Sequence, residues 1–249
     1  MGAAEAVIRT AFLLPLLLPL AATALAAPTA APDGFFDDFE RGLCLGECVG
    51  WNWASSQQID GTLAVIPGRG GHVLAAQTQA RGARVPKAAL IARPAKLAPG
   101  AVARMSFDMM IPDGTPLNSI HLADLECASC GEAGNPGIRL YLRHGRLRID
   151  RSKIEERNAW TNDAAPQLVA GRWHRIDFEV AVGFAEAGYA RVRLDGTEVL
   201  AARGDTIASP VGGAAAGADR VQIGLTASSN PVPARAYFDN VRLSVRRAR

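Results

Sequence analysis

The chain has 249 residues, of which 49% are hydrophobic and 20% charged, and its formal net charge at pH 7 is +3. An excess this small does not by itself indicate a polyanion partner, and we expect no nucleic acid to bind. After the N-terminal segment no apolar stretch is long enough to span a membrane, so membrane insertion of the mature chain is not expected.

Residues 1–27 have the features of an export signal. Arg9 precedes a short apolar run that contains two prolines, and Ala24-Leu25-Ala26 offers a small-residue cleavage site. We therefore expect a secreted or periplasmic protein, with residues 28–34 as a leader and residues 35–249 as a single domain. No internal repeat is visible.

The cysteines form an even set in a chain predicted to be exported, which makes disulfides the default. The alternative is a four-thiolate zinc site, for which the spacing in "CLGEC" and "CASC" is suitable. If disulfides form, we expect the local pairs Cys44–Cys48 and Cys127–Cys130.

Alternation of apolar and polar residues dominates the rest of the chain. "ARMSFDMMI" places Met105, Phe107 and Met109 on one face, and "WHRIDFEV" does the same with Ile176, Phe178 and Val180. A period of two over such lengths is typical of half-buried strands, and helical periodicity is almost absent. The sequence therefore predicts an all-β fold.

Two hairpins are predicted from their turns. Asp195-Gly196 is a type I′ signal that pairs Leu194 with Thr197, and His144-Gly145 centres the second hairpin. One face of that second hairpin is apolar: Ile138, Leu140, Leu142, Leu147 and Ile149. The other face carries Arg139, Tyr141, Arg143, Arg146, Arg148 and Asp150.

Four arginines on two adjacent strands have two interpretations. They are either an ordinary solvated face, whose stems cover apolar surface, or the floor of a groove for an anionic chain. Arg143 faces Arg146 across the hairpin, and like charges in that position are destabilising, so the pair requires an explanation.

The order of elements resembles the concanavalin A-like jelly roll. The motifs are "GFFDDFERG", "WNW", "SIHLADLE", "PGIRLYLRHGRLRID", "GRWHRIDFEV", "GYARVRLDGTEVL", "VQIGLT" and "AYFDNVRLSV". The series is most similar to the branch that holds heparin-lyase-type and alginate-lyase-type polysaccharide lyases. The resemblance implies a two-sheet antiparallel sandwich, with a polysaccharide lying across its concave sheet, and β-elimination on a uronic-acid chain.

The resemblance places the family's catalytic histidine at His121, in Ser119-Ile120-His121, where Ser119 replaces a glutamine. Elsewhere the expected residues differ: Lys87 stands for an arginine, Ala89 for a glutamate and Thr226 for a tyrosine. We therefore expect Tyr141 to replace the missing tyrosine, with Arg139 completing the catalytic set. The expected substrate-binding residues are Ser119, Lys87, Arg143, Arg146, Arg148 and Trp160.

Strict alternation predicts that Asp124 and Glu126 lie on the opposite face from His121, which argues against a metal cluster in "NSIHLADLECASC". A partly buried, structural His121 is the alternative to a catalytic one. Trp51 and Trp53 are further candidates for stacking on sugar rings.

Members of this fold often hold a structural Ca²⁺ where the first and last strands meet. Asp38 and Asp239 supply oxygen ligands of the right type there, and the favoured alternative is that they are strand-end and turn carboxylates in water. No cofactor is expected for the chemistry itself.

The sequence thus predicts an exported protein that acts on an acidic polysaccharide, by β-elimination if it is catalytic. The alternative is a non-catalytic, lectin-like carbohydrate-binding module that kept the groove and lost the chemistry. A role in adhesion through protein contacts also stays open.

Overall fold

The computed structural model describes residues 34–46, 53–130, 134–209 and 214–247. In these ranges the chain forms an antiparallel, two-sheet β-sandwich, as the sequence predicts. The strands are β1 (Gly34–Asp37), β2 (Ser55–Ile59), β3 (Gly61–Gly68), β4 (Gly71–Thr78), β5 (Lys87–Ala92), β6 (Val102–Met110), β7 (Ile120–Glu126), β8 (Gly137–Arg143), β9 (Arg146–Asp150), β10 (Trp173–Ala181), β11 (Tyr189–Leu194), β12 (Thr197–Arg203), β13 (Arg220–Ser228) and β14 (Ala234–Arg246).

The eight-stranded sheet has the order β12-β11-β10-β6-β14-β4-β3, and β1 pairs with β14 outside this path. The six-stranded sheet has the order β2-β5-β13-β7-β8-β9. Short 3-10 helices occur at Ser152–Ile154, after β9, and at Ala185–Ala187, before β11. The non-consecutive neighbours in both sheets give the jelly roll its crossovers.

The core lies between the two sheets, because each strand turns its apolar alternate residues inward. Met105, Phe107 and Met109 of β6 are completely buried, as are the apolar residues of β7, β8 and β9. The predicted inward faces are therefore confirmed.

Both predicted hairpins have the predicted register. Leu194 pairs with Thr197 and Arg143 pairs with Arg146. The turn residues have positive φ angles, 52° at Asp195 and 51° at His144, with a glycine following each. That geometry is the one a type I′ turn requires.

The prediction for Asp124 and Glu126 is wrong. The β7–β8 register shifts between His121 and Ala123, so that His121 pairs with Tyr141 while Asp124 pairs with Arg139. This β-bulge adds one residue and reverses the alternation beyond it. His121, Asp124 and Glu126 consequently share the outer face of the six-stranded sheet.

The predicted signal and nearly all of the predicted leader lie outside the described residues, as do Cys48 and Trp51. In the described ranges no helix is long and apolar enough to cross a membrane.

Candidate functional site

The candidate site lies on the outer face of the six-stranded sheet, where β7 and β8 run side by side. His121 of β7 and Tyr141 of β8 are direct cross-strand partners, with ring centroids 5.5 Å apart. Arg143, two residues further along β8, lies on the same face and is exposed. A cavity of about 280 Å³ opens here, lined by Asn118, Ser119, His121, Tyr141, Arg143, His144 and Ser229.

The rim of this cavity is held by hydrogen bonds between three loops. The Asn118 side-chain oxygen accepts a bond from the backbone N–H of His144 at 3.1 Å, and the Asn118 backbone carbonyl accepts one from the Asn230 side chain at 2.7 Å. The N–H of Ser229 donates to the carbonyl of Ser119 at 3.0 Å. Ser119 itself has a φ of 55°, a conformation that residues other than glycine rarely adopt. The rim is therefore fixed in place before any ligand arrives.

His121 is oriented by a carboxylate from β9. Its Nε2 lies 3.5 Å from Asp150 Oδ2, and the same carboxylate accepts hydrogen bonds from Arg139 and from the backbone N–H of Ser152. Burial alone would raise the pKa of Asp150, but its contacts with His121 and Arg139 outweigh burial and lower that pKa. Asp150 is therefore ionised throughout the neutral range and keeps a negative charge beside the imidazole.

The imidazole of His121 is neutral at pH 7. Its side chain is 18% exposed, and burial, which disfavours the charged form, lowers its pKa below the ordinary value despite the opposing effect of Asp150. Because Nε2 faces the Asp150 carboxylate, we assign the ring proton to Nε2, which leaves the lone pair on Nδ1. Nδ1 is buried and has no hydrogen-bond partner among the described residues. The ring thus holds an unused proton acceptor.

The four arginines of the β8–β9 hairpin differ in what they contact. Arg139 is bonded to Asp150, Arg146 donates to the carbonyl of Ala165 at 2.9 Å, and Arg148 donates to Asp163 at 2.8 Å. Arg143 makes no hydrogen bond or ion pair with any described residue. Of the predicted arginines, Arg143 is thus the one that lines the cavity with an uncommitted guanidinium.

Beyond the bulge, the same sheet face carries a buried network of charges. Glu126 is completely buried and accepts bonds from Arg220 and Lys153, while Gln222 donates to both Glu126 and Asp124. Burial, followed by the charge of Glu126, raises the pKa of Asp124 to about 7. These carboxylates have no access to a ligand, so they support the sheet rather than act in the cavity.

The predicted residues of β5 and β13 lie beside this network and not in the cavity. Lys87 is half-buried, and burial, followed by the charge of Lys153, lowers its pKa. Ala89 is fully buried, and the Thr226 hydroxyl donates to Asp124 at 2.8 Å. The structure therefore brings together Ser119, His121, Tyr141 and Arg143, while Lys87 is separate from them.

None of the tryptophans that the structure describes lines the cavity at His121. Trp53 is buried in the core and donates to Asp37 at 2.7 Å. Trp160 pairs with Ile149 beside β9 and lies under the Arg151 guanidinium, 4.2 Å from the ring centroid. Trp160 lines a different cavity, next to β12.

Asp150 is the residue of the candidate site that sequence reasoning missed. The predicted hairpin register already placed it opposite Arg139, and the structure has that pairing. Its contact with His121 required knowledge that β7 borders β8, which the hairpin alone does not supply.

The Cys127–Cys130 disulfide is present, with an S–S distance of 1.99 Å, and it excludes a four-thiolate zinc site. The second predicted pair involves Cys48, which lies outside the described residues.

The calcium site at Asp38 and Asp239 stays a prediction. Burial raises the pKa of Asp239, to which the nearby Asp108 and Asp38 charges add, but Arg69 is bonded to Asp108 and lies 3.8 Å from Asp239. In the described ranges no group of three or more His, Cys, Asp or Glu side chains converges as a metal site. A calcium-dependent rise in melting temperature that EDTA reverses would support the site.

The fold resembles that of jelly-roll polysaccharide lyases. An endo-β-1,4-glucuronan lyase from the fungus Trichoderma reesei superimposes with a TM-score of 0.62 at 16% identity, covering 84% of this chain and 94% of that one. The cellulose-induced protein Cip1 superimposes with a TM-score of 0.56 at 13% identity, covering 86% and 98%. The alginate lyase Aly36B gives a TM-score of 0.56 at 10% identity, with the same coverage.

At such low identities these similarities show a shared fold. No protein-family model matches the sequence, and no curated protein matches it.

Proposed function

We propose that the chain is an exported polysaccharide lyase that cleaves an acidic, uronate-containing polysaccharide by β-elimination. The observation that carries this proposal is the convergence of His121, Tyr141 and Arg143 on one cavity at the outer face of the six-stranded sheet. The shared fold supports it, since two of the compared structures are described as a glucuronan lyase and an alginate lyase. The signal-like N-terminus and the disulfide support export.

The reaction needs three groups. A base removes the proton at C5 of the uronate, the electron pair forms the C4=C5 double bond, and the C4–O bond breaks as an acid protonates the departing oxygen. A cation or hydrogen-bond donor must stabilise the charge that develops on the carboxylate next to C5.

His121 is assigned as the base. Its neutral imidazole takes up a proton at Nδ1 after a rotation of the ring brings this atom, which is buried in the structure, into the cavity, and the Asp150 carboxylate stabilises the resulting positive charge. Tyr141 is assigned as the acid, because its phenol shares the cavity and can donate a proton to the leaving oxygen.

Arg143 is assigned to the carboxylate. Its planar fork matches a carboxylate in a bidentate pair, and its lack of a described polar partner leaves both arms free. Arg139, which the sequence placed in the catalytic set, is bonded to Asp150, and we assign it to positioning that carboxylate. Ser119 and Asn118 supply polar groups for sugar hydroxyls at the rim, and Arg146 and Arg148 extend the positive charge along β9.

A non-catalytic carbohydrate-binding module is the second candidate. It is favoured by the residues that replace the family's expected set: Thr226 is bonded to Asp124, Ala89 is buried, and Lys87 stands outside the cavity. In this alternative the cavity and its arginine bind a sugar chain without breaking it.

The test is the ultraviolet absorbance of the unsaturated uronate that elimination creates. The purified protein is incubated with alginate, glucuronan, heparin and pectin, and with dextran as a neutral control, while binding is followed by affinity electrophoresis. We expect absorbance to rise with at least one uronate polymer and not with dextran. If the protein binds a uronate polymer but none of the polymers gives new absorbance, the lyase proposal is rejected and the carbohydrate-binding module is supported.

A further inference from the structure

The eight-stranded sheet carries a second cavity, on the side of the sandwich opposite His121. Its volume is about 370 Å³, and its outer-face lining includes Arg104, Arg191, Arg193, Arg242, Asp177 and Glu179, which we call the arginine trough. Cross-strand pairing explains the cluster. One rung across the sheet runs from β11 through β10 and β6 to β14, and its residues are, in that order, Arg193, Asp177, Ser106 and Arg242. In the next rung Arg191, Glu179 and Arg104 are neighbours.

Positive charge exceeds negative charge in the trough, with four guanidinium groups against two carboxylates. Glu179 is bonded to Arg104 and accepts a bond from Tyr189 at 2.8 Å, so its charge is already matched. By contrast, Arg191, Arg193 and Arg242 make no hydrogen bond or ion pair with the described residues, although Glu198 of β12 lies opposite Arg193. All three are exposed. These arginines are free to receive anionic groups from outside.

An aromatic ring lies at each end of the trough. Arg242 stacks on Phe36 of β1, 5.0 Å from the ring centroid, and Phe36 is 44% exposed. At the other end Arg191 and Arg203 lie 5.3 Å and 5.6 Å from the Tyr189 centroid. A further cavity of about 220 Å³ begins there and shares Arg191 with the trough. From β1 to β11 the surface crosses four strand spacings, or about 19 Å.

We propose that the arginine trough binds a second segment of acidic polysaccharide, apart from the cavity at His121. The guanidinium groups would pair with carboxylates of the chain, and the ion-paired Glu179 and the neighbouring Asp177 would accept bonds from sugar hydroxyls. The proposal takes only the class of polymer from the proposed function and does not require catalysis.

The trough favours a polysaccharide over a single-stranded nucleic acid. Nucleic-acid surfaces of that kind offer open aromatic faces on which bases stack. Here an arginine already stacks on each ring, Arg242 on Phe36 and Arg191 on Tyr189.

Two binding surfaces on opposite sides of the sandwich would let the protein hold one polymer while it engages another. A second contact raises the effective concentration of polymer near the first, so avidity exceeds the affinity of either surface. We expect retention on a uronate gel to depend on both surfaces.

The experiment measures binding by affinity electrophoresis in gels that contain alginate, glucuronan or dextran. It uses the full chain with His121→Ala, so that the polymer is not consumed. The test variant adds Arg191→Ala and Arg193→Ala. The matched control adds Arg84→Ala and Arg235→Ala, which remove the same charge from exposed arginines elsewhere.

We expect the apparent affinity for the uronate polymers to fall about tenfold in the test variant and less than about twofold in the control. Equal losses in the two variants, or equal retardation by dextran, would overturn the proposal. Tighter, trough-dependent binding of a single-stranded oligonucleotide would also overturn it, in favour of nucleic acid.

A separate measurement distinguishes this proposal from the lyase. The Arg191→Ala and Arg193→Ala changes, made in the otherwise unaltered chain, should leave the elimination rate on a short oligouronate unchanged. If no elimination occurs but retention depends on the trough, the second binding surface stands and the lyase fails. If elimination occurs and retention on the gel does not depend on the trough arginines, the lyase proposal stands and the second binding surface fails.

Discussion

At the scale of single residues, Asp150 links His121 to Arg139. Its carboxylate accepts hydrogen bonds from the Arg139 side chain and the Ser152 backbone N–H, and it lies 3.5 Å from His121 Nε2. Because its charge favours the protonated imidazole, it keeps the pKa of His121 from falling further under burial. We regard Asp150 as a positioning residue that acts through His121.

Replacing Asp150 with asparagine tests this role. The loss of charge should lower the pKa of His121 further, so the acidic limb of the rate profile moves to lower pH. The imidazole also loses the partner that stabilises its protonated form, so we expect kcat to fall by about 10²-fold while KM changes little. Initial rates between pH 4 and 9 measure both effects.

The control for this change is Asp163→Asn, which removes the exposed partner of Arg148. Its acidic limb should stay in place. If Asp150→Asn lowers the melting temperature but leaves the acidic limb of the rate profile at the wild-type pH, the role of Asp150 is purely structural.

At this scale the sequence predicted which residues face outward on β8 and β9, because two-residue turns fix the register of a hairpin. The sequence did not predict which of the four arginines have polar partners and which one is free. Arg146 and Arg148 are bonded to the loop that precedes β10, at Ala165 and Asp163, and such long-range contacts leave no local pattern.

At the scale of elements, the bulge in β7 determines which β7 side chains lie on the outer face of the sheet together with His121. Without it, Asp124 and Glu126 would point into the core, where two unpaired carboxylates could not be tolerated. With it, they meet Gln222 and Arg220 of β13 on the outer face. Bulges have no reliable sequence signature, so strict alternation failed at this point.

The buried Asp124 should make stability depend on pH. Its pKa is about 7 in the folded chain against an ordinary value of 3.8, so the folded state holds this proton more tightly. The stability it contributes is fully present below about pH 4 and is lost as pH rises through about 7. The Asp124→Asn variant carries no ionisable group at this position, so its free energy of unfolding should not show this decrease as pH rises.

Chemical denaturation of the wild type and Asp124→Asn between pH 4 and 8 measures the difference in free energy of unfolding. The comparison of variants is needed because His121, whose pKa is lowered, changes stability with the opposite sign near pH 6.5. A difference that stays constant across this range would refute the account of Asp124.

The Cys127–Cys130 disulfide closes a four-residue loop just beyond β7. A loop of that size implies about 2 kcal/mol of stabilisation, so replacing both cysteines with serine should lower the melting temperature by about 4–8 °C. His121 lies near the other end of β7, about 20 Å away, so activity below the melting temperature should be retained. Loss of activity without loss of stability would contradict this separation.

At the scale of the whole molecule, the first and last strands close the sandwich. Phe35 of β1 pairs with Leu243 of β14, and β14 continues between β4 and β6. The resemblance of the motif order predicted this architecture, because a jelly roll depends on the order of strands and turns more than on identity. The chemistry is less predictable, since it depends on which side chains remain free of partners once the sheets have formed.

The two outer faces of the sandwich have different characters. The six-stranded sheet presents an oriented imidazole beside a phenol and a free arginine. The eight-stranded sheet presents arginines and aromatic rings, with no histidine among the residues that line the trough. This difference is why we place chemistry on one face and additional binding on the other.

The most direct test of the account is the initial rate of unsaturated-product formation by His121→Ala on the best uronate polymer. His72→Ala, an exposed histidine on β4, serves as the matched control. We predict that the rate falls by about 10³-fold in His121→Ala and stays at the wild-type level in His72→Ala, with both melting temperatures retained. A His121→Ala variant that eliminates at the wild-type rate would contradict the central claim.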